Sequence, residues 1–184
     1  MDWIPAADLR DGQAGRIGLT VLPGKHGRSV RYPGRIYRAD LEADLGALRD
    51  AGIIRLILLI EDAELSHWGD MALESRAALF GVTVDRHPMA DGGPPGSLTE
   101  MDAICRSISE ARDGADVAIA CMGGVGRSGT VAACALVAAG WPADAAIARV
   151  REVRHPQAVE TVAQEEFVQR YWHDQQRRSA TLSS

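Results

Sequence analysis

The chain has 184 residues, 46% of them hydrophobic and 24% charged, with a formal net charge of -5. That length and balance suit one soluble domain with a core of its own, and the acidic charge excludes the broad basic field of a nucleic-acid binder. The three cysteines, at 105, 121 and 134, include no close pair, which argues against a disulfide framework or a zinc site and for a reduced, cytoplasmic chain.

In chain order, Ile17 to Leu22 reads as a strand stopped by Pro23-Gly24, and Arg35 to Arg38 as a short strand. Asp40 is an N-cap for a helix whose apolar residues Leu41, Leu45 and Leu48 share a face, with Gly52 closing it. The run IIRLILLI from Ile53 predicts a buried strand, and its eight apolar-rich residues are far too few to span a bilayer. The N-terminal MDWIPAADLRD has no basic start followed by an apolar run, so it does not read as a signal peptide. A second helix is expected over Met71 to Phe80 and a short strand over Val82 to Val84. The segment HPMADGGPPG is too rich in Pro and Gly to be regular.

A long helix starts at Ser97 or Thr99 and runs through Arg112. Asp116 to Ala120 is another buried strand, and a helix follows the Gly-rich stretch to Ala139. Two more helices cover WPADAAIARVREVR, entered through Pro142, and TVAQEEFVQRYWHDQQ. The polar segment 175–184 reads as a frayed tail. Strands alternating with helices predict an α/β fold with a central, mostly parallel sheet of four or five strands flanked by helices.

The chemistry concentrates in DVAIACMGGVGRSGTVAAC. A buried strand runs to Cys121, then Met122, Gly123, Gly124, Val125 and Gly126 lead into a helix beginning near Arg127 or Ser128. Three glycines in five positions let the backbone curl and turn its N–H groups inward. Such a nest at the positive end of a helix is an anion site, and the same field favours a thiolate at Cys121. The guanidinium of Arg127 suits two phosphoryl oxygens at once, and the Ser128 hydroxyl is placed to donate to the cysteine sulfur as it leaves. Cleaving a phosphomonoester also needs a proton for the leaving oxygen. Asp91, on a loop with glycines after it, is the candidate donor.

The segment CMGGVGRSGT resembles the C-x5-R-[ST] signature of protein tyrosine and dual-specificity phosphatases. Together with ELSHWGD, HPMADGG and AVETVAQ, it is similar to the kinase-associated phosphatase branch, the cyclin-dependent kinase inhibitor-like group, over roughly residues 17–171. The resemblance implies a single phosphatase domain over 1–174 that uses no metal or other cofactor. It implies two-step hydrolysis of phosphotyrosine or phosphoserine/threonine through a phosphocysteine, with a phosphorylated protein or peptide as substrate and no nucleic acid or membrane partner. It assigns Cys121 as nucleophile, Arg127 as clamp, Asp91 as acid and then base, and Ser128 as an aid to phosphoenzyme breakdown. The phosphate would lie on the loop from Met122 to Arg127. Gln164 is a candidate for positioning the hydrolytic water, by looser analogy.

One position departs from the family. Its members usually carry His immediately before the nucleophile, and here Ala120 leaves Cys121 to the amides, the helix end and Arg127. The alternative function is therefore a catalytically weak pseudophosphatase that grips phosphorylated partners. The loop has none of the lysines with which phosphoinositide phosphatases meet extra phosphates. Other residues keep two readings at this stage. Cys105 and Cys134 are redox partners or small core residues, Trp68 lines the mouth of a site or packs in the core, and His87 sits at a rim or is structural. Arg154 and His155 face the phosphate or end a helix.

Overall fold

The computed structural model describes residues 1–29 and 33–182. Strand β1 (Asp2–Ile4) and the short helix α1 (Ala6–Leu9) precede β2 (Ile17–Val21), and the hairpin of β3 (His26–Arg28) and β4 (Ile36–Arg38) follows. Next come α2 (Leu41–Asp50), β5 (Ile53–Leu58), α3 (Asp62–Trp68), α4 (Leu73–Leu79), β6 (Thr83–Arg86) and α5 (Leu98–Arg112). The chain ends with β7 (Asp116–Cys121), α6 (Gly126–Ala138), α7 (Ala143–Val153) and α8 (Val162–Leu182).

The main sheet has the order β1-β2-β7-β5-β6. Only β1 runs antiparallel, against β2, while β2, β7, β5 and β6 pair in parallel. The fold is thus the α/β arrangement read from the sequence: a mostly parallel five-stranded sheet flanked by helices. β7 occupies the middle, and Val117 through Cys121 are all buried. α6 is also buried along nearly its whole length, which is why its sequence, GRSGTVAACALVA, shows no polar face.

Local chemistry sets the element ends. The Asp40 side chain accepts from the Ala43 N–H at 2.8 Å to start α2, and Ser97 accepts from the Glu100 N–H at 3.0 Å to start α5. At the N-terminus of the sheet, Arg112 is buried and clasps the Asp11 carboxylate, at 2.6 and 3.1 Å, while its Nε donates to Gly15 O at 2.7 Å. Both Arg112 and Asp11 come from segments next to sheet strands, so the clasp ties α5 to the lead-in of β2.

Several elements depart from the sequence reading. β1, α1, β3 and α3 carry no strong apolar period and were not expected. α3 is held instead by a reciprocal cap in which Glu64 accepts from the Glu61 N–H at 3.0 Å. The polar segment from 175 is not a tail as far as Leu182, because α8 continues through it. Arg177 and Arg178 pair with Asp174, and Arg178 also reaches Asp102 on α5 at 2.6 Å, so charge pairing one turn apart and a tertiary contact carry the helix onward. Residues 183–184 of the expected tail lie outside the described residues.

Candidate active site

The parallel strands deliver their carboxyl ends to one edge of the sheet, where open α/β sheets place their sites. β2 leads to Lys25, β5 to Glu64 on α3, β6 to Asp91 and β7 to Cys121. The approach is enforced beyond the strands themselves. The Leu59 N–H donates to Ala120 O at 3.0 Å, the His87 N–H to Leu58 O at 2.9 Å and the Met89 N–H to Leu59 O at 3.0 Å, so sheet-like pairing carries the Asp91 loop up beside β7.

These residues line one cavity of about 490 Å³ that includes Cys121, Met122, Gly123, Val125, Gly126, Arg127, Asp91, Glu64, Trp68, Lys25, Tyr37, Arg154 and Glu160. The loop curls as its glycines require. Gly124 has φ +66, and a Cβ there would meet Thr20 O at 2.4 Å, so both the turn and the approach to β2 demand glycine. The Gly124 N–H donates to Cys121 Sγ at 3.2 Å. Helix α6 starts at Gly126, one residue earlier than the sequence reading, and its positive end faces the loop.

Three carbonyls of the loop are gripped by cations. Lys25 Nζ donates to Met122 O at 2.9 Å, and Arg154 donates to Gly123 O at 3.1 Å and Gly124 O at 2.8 Å. A trans peptide points its N–H opposite to its C=O, so these grips fix the peptides that carry the N–H groups of Gly123, Gly124 and Val125. Arg154 lines the cavity and holds the loop through the Gly123 and Gly124 carbonyls, and Asp2 of β1 holds its far nitrogen.

Arg127 is buried, with 2% of its side chain exposed. Glu64 accepts from both of its terminal nitrogens, at 2.6 and 2.8 Å, Met89 O accepts at 3.0 Å, and Asp91 Oδ1 accepts at 3.1 Å. Burial pushes the Glu64 carboxyl up, but hydrogen bonds from Arg127 and the Glu61 N–H outweigh it, and the net position is below the ordinary glutamate range. Asp91 is 86% exposed, on the solvent side of that guanidinium. Glu64 was not singled out from the sequence. Its signal was the ExxE pattern of Glu61 and Glu64, which marks a capping box and so a helix start after β5.

Two expected residues stand differently. Ser128 is buried, and its hydroxyl has no hydrogen-bond partner, Cys121 included. Gln164 is buried behind the cavity rather than in it. Its Oε1 accepts from the Glu160 N–H at 2.8 Å and its Nε2 donates to Gly93 O at 3.1 Å, so it ties the Asp91 loop to the segment before α8. The side chain that this segment turns into the cavity is Glu160, with its carboxylate beside Gly126. The preceding Val159 has φ +60, a costly conformation for a β-branched residue, and Arg151 holds its carbonyl at 3.3 Å.

The remaining cysteines are poor thiolates. Burial pushes the Cys105 thiol up to about 12 and the Cys134 thiol well above its ordinary value. Cys105 packs beside the Tyr171 hydroxyl, which lies at 3.6 Å. Among the described residues, no group of three or more His, Cys, Asp or Glu could hold a metal, and no helix is long and apolar enough to cross a membrane.

A mostly parallel sheet that brings a cysteine-bearing glycine loop, a buried arginine and an aspartate to one cavity has the arrangement that the sequence resemblance implies, that of the cysteine-loop phosphatases. The chain belongs to the dual-specificity and tyrosine phosphatase family: the model described as "Polymorphic toxin system, DSP-PTPase phosphatase" matches residues 32–141. Cyclin-dependent kinase inhibitor 3 of Rattus norvegicus is 29% identical over 179 residues, covering 93% of this chain and 77% of the relative. The Homo sapiens counterpart is 28% identical over 177 residues, with the same two coverages. The crystal structure of kinase associated phosphatase, with its catalytic-site cysteine replaced by serine, superimposes with a TM-score of 0.82 at 24% identity, covering 95% of this chain and 94% of that one. Tk-PTP in its active form gives 0.67 at 29% identity, covering 89% and 93%.

Proposed function

We propose that the protein hydrolyses phosphotyrosine and related phosphomonoesters on protein or peptide substrates, in a reducing, cytoplasmic setting, through a phosphocysteine at Cys121. The observation that carries this reading is the convergence of Cys121, Arg127 and Asp91 on one cavity, with Asp91 3.1 Å from the guanidinium. Tyr37 and Trp68 in the cavity lining favour an aryl ester, whose ring would find aromatic contacts there.

In the first step, Cys121 Sγ attacks phosphorus as a thiolate while the bond to the ester oxygen breaks, and Asp91 gives that oxygen its proton. The amides of Gly123 to Gly126 and the forked Arg127 bind the three equatorial oxygens, where charge gathers in the transition state. An incoming phosphoryl group competes with Asp91 for Arg127, which frees the carboxyl group to turn toward the leaving oxygen. In the second step, water attacks phosphorus, the Asp91 carboxylate takes the water proton, and the P–S bond breaks to return the thiolate. Ser128, whose hydroxyl has no other partner, would donate to the sulfur as it leaves.

Turnover of p-nitrophenyl phosphate, abolished by Cys121→Ser, supports the reading. Absence of turnover together with tight phosphopeptide binding would favour a pseudophosphatase.

A further inference from the structure

Lys25 is the one lysine in the chain, and it is 7% exposed. Burying an ammonium is costly unless something nearby compensates it. Its partners are not those of an ordinary buried ion pair. Nζ donates to Met122 O at 2.9 Å and lies 3.8 Å from the centroid of the Tyr37 ring. The backbone around it is pinned: the Lys25 N–H donates to Leu22 O at 3.3 Å, Lys25 O accepts from the Ala39 N–H at 2.9 Å, and the Gly24 N–H donates to Asp44 at 2.8 Å. An ammonium planted in this way is part of the site's architecture rather than a surface group folded inward.

The contact falls one residue beyond Cys121. The bond fixes the Met122–Gly123 peptide, whose N–H lies opposite the held carbonyl, and Lys25, Met122 and Gly123 all line the cavity. Lys25 and Cys121 line the same cavity. Burial lowers the Lys25 pKa from its ordinary value, while the Tyr37 phenol and Cys121 push it back up and Arg35 opposes them. No side chain braces the loop from Ala120, which is wholly buried in the core.

We propose that Lys25 is a positioning residue for the anion loop, fixing the Met122–Gly123 peptide with its N–H toward the cavity and setting a positive charge beside Cys121. It thereby favours both the thiolate and the bound phosphoryl group. This rests on the phosphatase reading of the site, but it is tested on readouts that need no turnover.

Lys25→Met keeps a stem over Tyr37 and removes the charge, Lys25→Arg keeps the charge, and Lys25→Gln keeps a donor without it. The full-length chain is treated with iodoacetamide at neutral pH, and carboxamidomethylation of the Cys121 peptide is followed by mass spectrometry. Protection by inorganic phosphate is measured in the same assay. Alkylation is expected to slow about tenfold in Lys25→Met and Lys25→Gln, phosphate protection to weaken about tenfold, and Lys25→Arg to stay within about threefold of the parent. If Lys25→Met fails to fold, Lys25→Gln is read in its place. Parental alkylation and parental phosphate protection in a folded charge-free variant would overturn the proposal, and so would an Arg variant as impaired as the Met one. If the parent hydrolyses no phosphoester but these shifts appear, the functional reading fails and the role of Lys25 stands.

Discussion

Glu64 holds both terminal nitrogens of Arg127, at 2.6 and 2.8 Å, from a short helix on the neighbouring strand's connection. The pair sets the angle at which the guanidinium fork meets the cavity, so in the proposed mechanism Glu64 would position the phosphate clamp without touching phosphate itself. Truncating one member of a buried pair leaves the other charge uncompensated. Glu64→Gln is expected to lower stability by about 3 kcal/mol and kcat/KM by about tenfold or more. Urea unfolding and steady-state kinetics on p-nitrophenyl phosphate check both.

The same pair predicts an acid limb in stability. The folded Glu64 carboxyl sits below its ordinary range because of Arg127 and the Glu61 N–H, against the upward push of burial. A group depressed on folding contributes stability that is complete above its unfolded value, about pH 4.3, and that is lost as pH falls through the lower folded value. The melting temperature of the parent should therefore fall faster below about pH 4.3 than that of Glu64→Gln. Parallel curves would contradict the assignment.

Asp91 is the expected proton donor. Asp91→Asn keeps the shape and the contact with Arg127 but cannot supply a proton. It should lower kcat/KM by about 100-fold and remove the limb of the pH profile that reports the protonated acid. Because Asp91 is exposed, its replacement should leave the melting temperature nearly unchanged, which separates this effect from that of Glu64.

Gly124→Ala tests the loop geometry. A Cβ there would meet Thr20 O at 2.4 Å, on backbone that has positive φ. The loop must shift, carrying its amides off the phosphate. A loss of about 100-fold or more in kcat/KM is expected, with about 1–3 kcal/mol of lost stability. Chemical denaturation and kinetics measure the two.

Glu160 places a carboxylate on the cavity wall beside the positive end of α6. A fixed negative charge there opposes an entering phosphate. Glu160→Gln should tighten inhibition by vanadate or phosphate by about threefold or more. Weaker inhibition would mean that Glu160 orders the loop rather than opposing the anion.

Much of this was legible in the residues, and the reasons differ by element. β5 and β7 announce themselves by continuous apolar runs, and α2 and α5 by caps and apolar spacing. Cys121, Arg127 and Asp91 were singled out because the chemistry of phosphoryl transfer demands a nucleophile, a clamp and a proton donor, and the structure brings the three to one cavity. Glu64, Lys25 and Glu160 were not identified, and Arg154 was left between a phosphate-facing role and a helix end. Lys25 and Glu160 are isolated charged residues in ordinary local sequence, the capping pattern at Glu64 marks a helix start and not a contact with Arg127, and the placement of all four arises from strand order, which brings four loops to one edge. Gln164 shows the converse: it lies in the right stretch, but helix phase turns it inward to Gly93, while Val159's unusual backbone turns Glu160 to the cavity. α8 outruns its apolar signal because Asp102 on α5, distant in sequence, anchors Arg178.

The central claim is a covalent bond between phosphorus and Cys121, and rapid-quench trapping tests it most directly. The full-length chain is mixed with a 32P-labelled phosphotyrosyl peptide, quenched within milliseconds in acid, and digested for mass spectrometry. The expected result is label on the Cys121 peptide alone, absent in Cys121→Ser and appearing no more slowly than turnover. Steady turnover with no label on Cys121, or label that persists in Cys121→Ser, would contradict it.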